Sequence, residues 1–359
     1  MQNCQLVNAR LIATIIVLCV LPRGAFAKNE LPSVKVENIR RVFHDGQHNA
    51  FTDLVRYQGK LYLAFRSCPD GHMVHPTSSI IILTSEDDGL HWEKVHQFRV
   101  KLRDTRDPHF LVFQDKLFVY TGTWYSGETT LPTSQYDLNQ HLGYAAWTKD
   151  GKTWQSPAML EGTFGHYVWR AAASDGRAYL CGRRKIDFDV RPRGEGPEVE
   201  SLMLESDDGL IWRKRAVFQE REGDETAFLF LADKSILGVG RRGRHHAQIL
   251  RSNPPYSSWT RTDLDRYIGG PLLVPWGDRI VVGGRKTIGD AGPKTSLYWL
   301  QGDSLVEFAE LPSGGDNSYP GFVSFGPNKA LVSWYSSHEV DDQGNSITAI
   351  YLADLTVVP

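Results

Sequence analysis

Apolar positions along this chain fall into short runs, alternating or continuous, and the runs recur in pairs around Gly, Asp or Asn turns. LVRYQGKLYLAFR (54–66), FLVFQDKLFVYTG (110–122), AAASDGRAYLCGR (171–183), LFLADKSILGVGR (229–241), LVPWGDRIVVGGR (273–285) and VSFGPNKALVSWY (323–335) share one layout. Each reads as two adjacent antiparallel strands joined by a short turn. Six such pairs, at intervals of about 55 residues, leave room for four strands per unit and are too regular for a sandwich. The pattern therefore predicts an all-β fold, a six-bladed β-propeller of four-stranded antiparallel blades. No Pro/Ser-rich linker or charge run interrupts the series, so residues 28–359 are expected to form a single propeller domain.

A second repeat lies between the pairs. SEDDGLHW (85–92), TKDGKTW (148–154) and SDDGLIW (206–212) place a hydroxyl, Asp, Gly and Trp in the same order. SNPPYSSW (252–259) keeps the Ser-to-Trp spacing but has lost the Asp and Gly. Asp accepts hydrogen bonds from turn amides, Gly takes a backbone angle that other residues avoid, and Trp packs under the next strand. A turn that recurs on several blades holds structure and is not a single reaction centre.

The start of the chain breaks the pattern. Arg10, the apolar run LIATIIVLCVL (11–21) and AFA ending at Ala27 read as a cleavable secretory signal over residues 1–27, so the mature chain should begin near Lys28 and be secreted or periplasmic. Eleven apolar residues are too few to span a bilayer, and no membrane span is expected after processing. Removing the signal takes Cys4 and Cys19 with it. Cys68 and Cys181 then allow at most one disulfide and no Cys-rich metal site. With 41% apolar and 23% charged residues among 359, the chain can bury an ample core. A formal net charge of −2 argues against a nucleic-acid partner. A monomer is expected.

Equivalent positions of stacked propeller hairpins face one central funnel. Just after the second strand of each pair stand Arg66, Gly122, Arg183, Arg241, Arg285 and Tyr335; just before the first stand Ala50, Arg106, Tyr167, Glu225, Gly269 and Tyr319. The arginines follow apolar runs such as ILGVG and IVVGG that must be buried. Like charges so close need an anionic partner, and a substrate carboxylate or sulfate suits guanidinium forks that stay charged at any working pH. Neutralisation by neighbouring Asp and Glu is the alternative.

Asp-box turns in a six-fold β chain resemble the sialidase (neuraminidase) superfamily, and the likeness covers nearly the whole mature chain. Such boxes also occur in propellers that only bind proteins or cell-wall components, so fold and site are separate questions. The resemblance implies a retaining, exo-acting glycoside hydrolase that removes a terminal acidic sugar from a glycan. In that family a carboxylate-binding arginine follows a blade-four glutamate, as Arg241 follows Glu225 in ETAFLFLADKSILGVGR, and a later blade supplies another, matching Arg285. A Gly-Asp-x-x-Tyr segment leading into an apolar strand resembles GGDNSYPGFVSF and makes Tyr319 the nucleophile. Phenol, with an ordinary pKa of about 10, needs an adjacent base, and Glu225 fits that role. A neutral nucleophile also avoids repulsion by a carboxylate on the anomeric carbon. The family's general acid sits in a loop after a blade-one arginine; FRSCPDGHMVHP offers Arg66 followed by Asp70, with His72 and His75 as alternatives. Asp107 in RDPHF resembles a substrate-contacting position. No metal or other cofactor is implied.

One departure bears on the substrate. Sialidases carry Arg-Ile-Pro at the start of blade one, and its arginine completes a three-arginine clamp; here Ala50 and Phe51 occupy that region. The carboxylate must then be held by Arg241 and Arg285 with help from Arg66 or Arg106, and the sugar could be a different nonulosonic acid, a uronic acid or a sulfated residue.

Two rivals make different geometric demands. A uronate lyase needs a cation and a His or Tyr base, and predicts His166 or His109 beside Tyr167, with Arg170 as neutraliser. A non-catalytic carbohydrate binder predicts a flat aromatic surface built from Trp124, Trp169 or Trp334. No H-x-x-x-H or HExxH spacing supports a metal site.

Overall fold

In a computed structural model that describes residues 31–191, 199–289 and 292–358, the paired apolar runs become the two inner strands of each blade. Residues 1–27, read as a leader, lie outside the described residues. The described residues form six four-stranded antiparallel sheets. Blade one is His48–Tyr57, Lys60–Cys68, Ser79–Ser85 and Glu93–Phe98; blade two is Arg103–Phe113, Lys116–Tyr125, Leu142–Thr148 and Trp154–Met159. Blade three is Tyr167–Ser174, Arg177–Lys185, Val199–Ser206 and Arg213–Gln219; blade four is Thr226–Phe230, Ile236–Arg242, His245–Ser252 and Thr260–Asp263. Blade five is Gly269–Trp276, Arg279–Ile288, Gly292–Gln301 and Ser304–Leu311.

Blade six is assembled from both ends of the described chain. Asn317–Ser324, Lys329–Val340 and Ser346–Val358 run outward, and Ser33–Phe43 adds the outermost strand by pairing with Ser346–Val358. First strands of neighbouring blades touch in sequence around the molecule, and blade six touches blade one, so the ring is closed. The strand runs that read as continuously apolar, LYLAF, LFVY and ILGVG, are buried because each middle strand is covered by a blade on either side. Tyr57 pairs with Lys60, Phe113 with Lys116 and Ser174 with Arg177 across two-residue turns whose central residues all have positive φ, the geometry that matches strand twist. Cys68 and Cys181 are buried free thiols in blades one and three. Among the described residues no helix is long and apolar enough to cross a membrane.

The recurrent Asp turns join the third and fourth strands of blades one to three. In blade two the Thr148 hydroxyl accepts the Gly151 amide at 3.0 Å, while the Asp150 carboxylate accepts the Lys152 and Thr153 amides at 2.8 and 2.7 Å. The same bonds recur at Ser85/Asp87 and Ser206/Asp208. Each box glycine has positive φ and also seats a side chain of the preceding blade. A Cβ on Gly89, Gly151 or Gly209 would lie 2.9, 1.9 or 2.9 Å from Leu331, Tyr62 or Tyr120. The boxes therefore lock turns and dock blades together. In the fourth copy Ser252 donates to the Ser258 carbonyl at 2.6 Å and Trp259 to the Tyr256 carbonyl at 3.1 Å, so the turn persists without Asp or Gly.

Candidate active site

The inner hairpins bring the two expected sets of residues together at one end of the funnel. Ala50 pairs with Arg66, Arg106 with Gly122, Tyr167 with Arg183 and Gly269 with Arg285, and the Arg241 amide donates to the Glu225 carbonyl. Tyr319 departs from this register: Ser318 pairs with Tyr335, and Tyr319 stands one residue further on. The reason is a bulge. In blades one, two, five and six the innermost strand slips register just after this pair, and the extra residue, Phe51, Asp107, Gly270 or Tyr319, has φ between 51° and 61°. A bulge re-aims side chains at a barrel or funnel rim and carries backbone strain that the surrounding sheet must hold.

At the centre, the Tyr319 hydroxyl donates to Glu225 Oε1 at 2.7 Å. Arg241 Nη1 and the Gly270 amide reach the other oxygen, Glu225 Oε2, at 2.9 and 3.1 Å. Tyr319 and Glu225 are only 6% and 4% exposed. Burial raises the Tyr319 phenol well above its ordinary pKa, and the Glu225 charge adds to this against Arg241. For Glu225 burial opposes ionisation, but Arg241, Arg183 and the tyrosine hydrogen bond outweigh it and hold the carboxyl below its usual range. The resting pair is thus a neutral phenol on a carboxylate. Gly270 is required there: its φ is +59°, and a Cβ would approach the Tyr319 ring to 2.7 Å.

Arg285 lies with its guanidinium 5.6 Å over the Tyr319 ring and donates to Asp316, the Asn317 carbonyl and the Tyr335 hydroxyl. These bonds use Nε and Nη2; those of Arg241 use Nε and Nη1. One terminal nitrogen of each guanidinium therefore has no protein hydrogen bond among the described residues.

The expectation that the funnel arginines require an outside anion is corrected by their partners. Arg183 pairs with Asp224, Arg241 with Asp224 and Glu225, Arg285 with Asp316, and Arg66 and Arg106 with Asp104. Arg66 and Arg106 also hold main-chain carbonyls, and the Arg106 guanidinium lies 5.3 Å over the Phe51 ring. Arg66 is 0% exposed and donates to Asp104 and to the Gly71 and Met73 carbonyls. Arg106 donates to the carbonyls of His72 and Met73. Together they pin the main chain of the loop after blade one's second strand.

That loop also carries the residues expected as general acid. Asp70 is exposed and accepts a hydrogen bond from Thr77. His75 is buried and bonds to Thr130 at 2.8 Å. His72 instead lies toward the funnel, its Nδ1 2.6 Å from Asp316 Oδ2 and its ring edge-on to Phe51, whose ring is in turn edge-on to Tyr319. Phe51 thus presents an apolar wall against Tyr319, Tyr335 and His72. Asp107 is buried and accepts a hydrogen bond from the Tyr167 hydroxyl. Burial, opposed by Arg106 and reinforced by Glu225, pushes its pKa up to about 6.

His48 Nε2, His72 Nδ1 and an oxygen of Asp316 lie within 4.8 Å of one another, a set that could hold a cation. Hydrogen bonding points elsewhere. His48 Nδ1 is 3.4 Å from Arg66 Nη1, which can only donate, so the imidazole proton belongs on Nε2, where it donates to Asp316 at 2.9 Å. A ligating His48 would turn a protonated Nδ1 against that guanidinium.

Neither rival geometry forms. His109 packs edge-on to Trp169 and 3.7 Å from Asp53, and His166 lies 3.1 Å from the Phe164 carbonyl; the imidazole ring against Tyr167 is that of His141. Arg170 is taken by Asp53 and the Pro320 carbonyl. Trp124, Trp169 and Trp334 are buried core residues and make no flat surface. The residues that sequence reasoning left without roles are Asp316, Asp224, Gly270 and His48. Asp316 was visible as the Asp of GGDNSY and Asp224 as the neighbour of Glu225; Gly270 and His48 carried no local signal.

No family model and no curated protein matches the chain. Among solved structures it is similar to a protein of unknown function from Dyadobacter fermentans, with 19% identity and a TM-score of 0.74 over 91% of this chain and 100% of that one. Trypanosoma rangeli sialidase in complex with sialic acid aligns at 13% identity and a TM-score of 0.65, over 91% of this chain and 59% of the sialidase. The phage phi92 endosialidase aligns at 9% identity and a TM-score of 0.61, over 90% and 69%. At these identities the likeness is one of fold alone.

Proposed function

We propose that this funnel hydrolyses the glycosidic bond of a terminal acidic sugar, with Tyr319 as nucleophile and Glu225 as its base. The observation that carries the reading is the 2.7 Å hydrogen bond from a buried tyrosine to a buried glutamate, flanked by Arg241 and Arg285. Burial and Glu225 hold the phenol neutral, and Arg241 and Arg183 hold the carboxylate ionised, so the proton does not move in the resting state. It moves to Glu225 as the tyrosine oxygen bonds the anomeric carbon, when the growing phenoxide character is withdrawn into the glycosyl bond. The unused guanidinium nitrogens of Arg241 and Arg285 suit a substrate carboxylate. Support for a covalent route also comes from the similar T. rangeli sialidase, which has been solved with 2,3-difluorosialic acid as a covalent intermediate.

Hydrolysis of an aryl α-sialoside by wild type, Tyr319→Phe and Glu225→Gln tests the reading. Wild-type turnover with losses of about 10²-fold or more in both variants is expected. Folded wild type without turnover removes sialic acid from the proposal, and the Phe51 wall then directs attention to uronate and sulfated glycosides. Export belongs to the same reading: the N-terminus of protein recovered outside the cytoplasm should begin near Lys28.

A further inference from the structure

We infer that His72, paired with Asp316, is the general acid and base of this site, in place of a carboxylic acid. The inference rests on the hydrolase reading above. His72 Nδ1 is 2.6 Å from Asp316 Oδ2, which leaves Nε2 as the nitrogen free to exchange a proton with substrate. The side chain is 44% exposed, whereas Tyr319 is buried, and Phe51 meets both rings edge-on.

Neighbouring blades hold this imidazole and its carboxylate partner. From blade one, His48 donates to the same Asp316 oxygen at 2.9 Å and meets the His72 ring edge-on at 5.3 Å. Blade two supplies Arg106, which holds the His72 carbonyl and is itself held by Asp104. From blades five and six, Arg285 and Tyr335 bind the other oxygen of Asp316 at 3.2 and 2.9 Å. Asp316 thus joins the guanidinium over Tyr319 to the imidazole on the rim. A carboxylate bonded to one imidazole nitrogen fixes the ring and leaves the other nitrogen for proton exchange.

The proton balance closes in both steps. As the Tyr319 oxygen bonds the anomeric carbon and its proton passes to Glu225, the glycosidic C–O bond breaks and the leaving oxygen takes the Nε2 proton of the His72 imidazolium. In the second step neutral His72 takes a proton from water, the water oxygen bonds the anomeric carbon, and the tyrosyl bond breaks as Glu225 returns its proton to Tyr319.

The test compares two substrates in the full chain: an aryl α-sialoside, whose phenolate departs with little protonation, and an α-sialoside with a sugar leaving group. His72→Gln, with an unchanged melting temperature, is expected to lose about 10²- to 10⁴-fold in kcat/KM on the sugar glycoside and only about tenfold on the aryl one. Equal losses of His72→Gln on both substrates, or the leaving-group dependence appearing in Asp70→Asn instead, overturns the assignment while the hydrolase reading stands. Loss of wild-type activity in EDTA, restored by zinc, would reassign His48, His72 and Asp316 as metal ligands and overturn it as well. A wild type inactive on both substrates removes sialic acid from the proposed function and overturns this inference with it.

Discussion

Gly270 and Asp107 show how single backbone and charge decisions shape the site. Gly270 is the one bulge residue without a side chain, because the Tyr319 ring occupies the space where a Cβ would lie. Gly270→Ala is expected to cost about 1–3 kcal/mol in denaturant unfolding and to lower kcat through a displaced Tyr319; full activity at reduced stability would separate the glycine from tyrosine placement. Asp107 has the opposite electrostatic character to Glu225. An acid whose folded pKa, about 6, exceeds its ordinary 3.8 contributes most stability below the lower value and loses it as pH rises toward 6. His109 and His166, each lowered by burial to about 4, act the other way: their contribution is complete above 6.5 and lost as pH falls toward 4. The net slope mixes both, so the difference between Asp107→Asn and wild type isolates Asp107. The variant's advantage in urea unfolding should be larger at about pH 7 than at about pH 4.5.

Each Asp box is a turn and an inter-blade contact at once. Gly151 has φ +71° and a Cβ there would fall 1.9 Å from the Tyr62 hydroxyl of blade one. Gly151→Ala is therefore expected to destabilise by about 1–3 kcal/mol, and Tyr62→Phe in the same chain should recover part of the loss. Additive effects in the double-mutant cycle would show that the turn conformation alone demands glycine. The inner-strand bulges are the counterpart at the funnel. They were invisible in the hairpin alignment, since a bulge inserts a residue without changing the apolar pattern beyond it, and this displaced Tyr319 by one position from the expected set.

Ring closure depends on the strand Ser33–Phe43 as the outer edge of blade six. Processing after Ala27 would leave that strand whole. Deleting residues 33–43 strips the partner from Ser346–Val358 and exposes a long strand edge. The truncated protein is expected to melt at a lower temperature and to elute partly as aggregates in size-exclusion chromatography; an unchanged melt and a monomeric peak would mean that the ring closes without it. Hydrophobic repeats predicted six units but gave no sign of this closure, because pairing between strands more than 300 residues apart leaves no local trace.

Periodicity and turn chemistry were enough to specify the propeller, since strand pairing within each hairpin is local and each box repeats the same hydrogen bonds. The chain also displayed Tyr319, Glu225, Arg241 and Arg285 at hairpin positions that had to converge once the blades closed. What folding alone decided was which charges meet. Arg66 and Arg106 carry the same charge as Arg241 and Arg285, but Asp104 pairs with the first two, whereas Arg241 bonds Glu225 and Arg285 lies over the Tyr319 ring. Likewise Asp70 and His72 stand two residues apart on that loop, and only its pinned carbonyls and the approach of Asp316 from blade six send one to solvent and the other to the funnel. Coulombic pairing falls off over a few ångströms, so roles that differ by one turn of a loop are set by three-dimensional proximity and not by residue type.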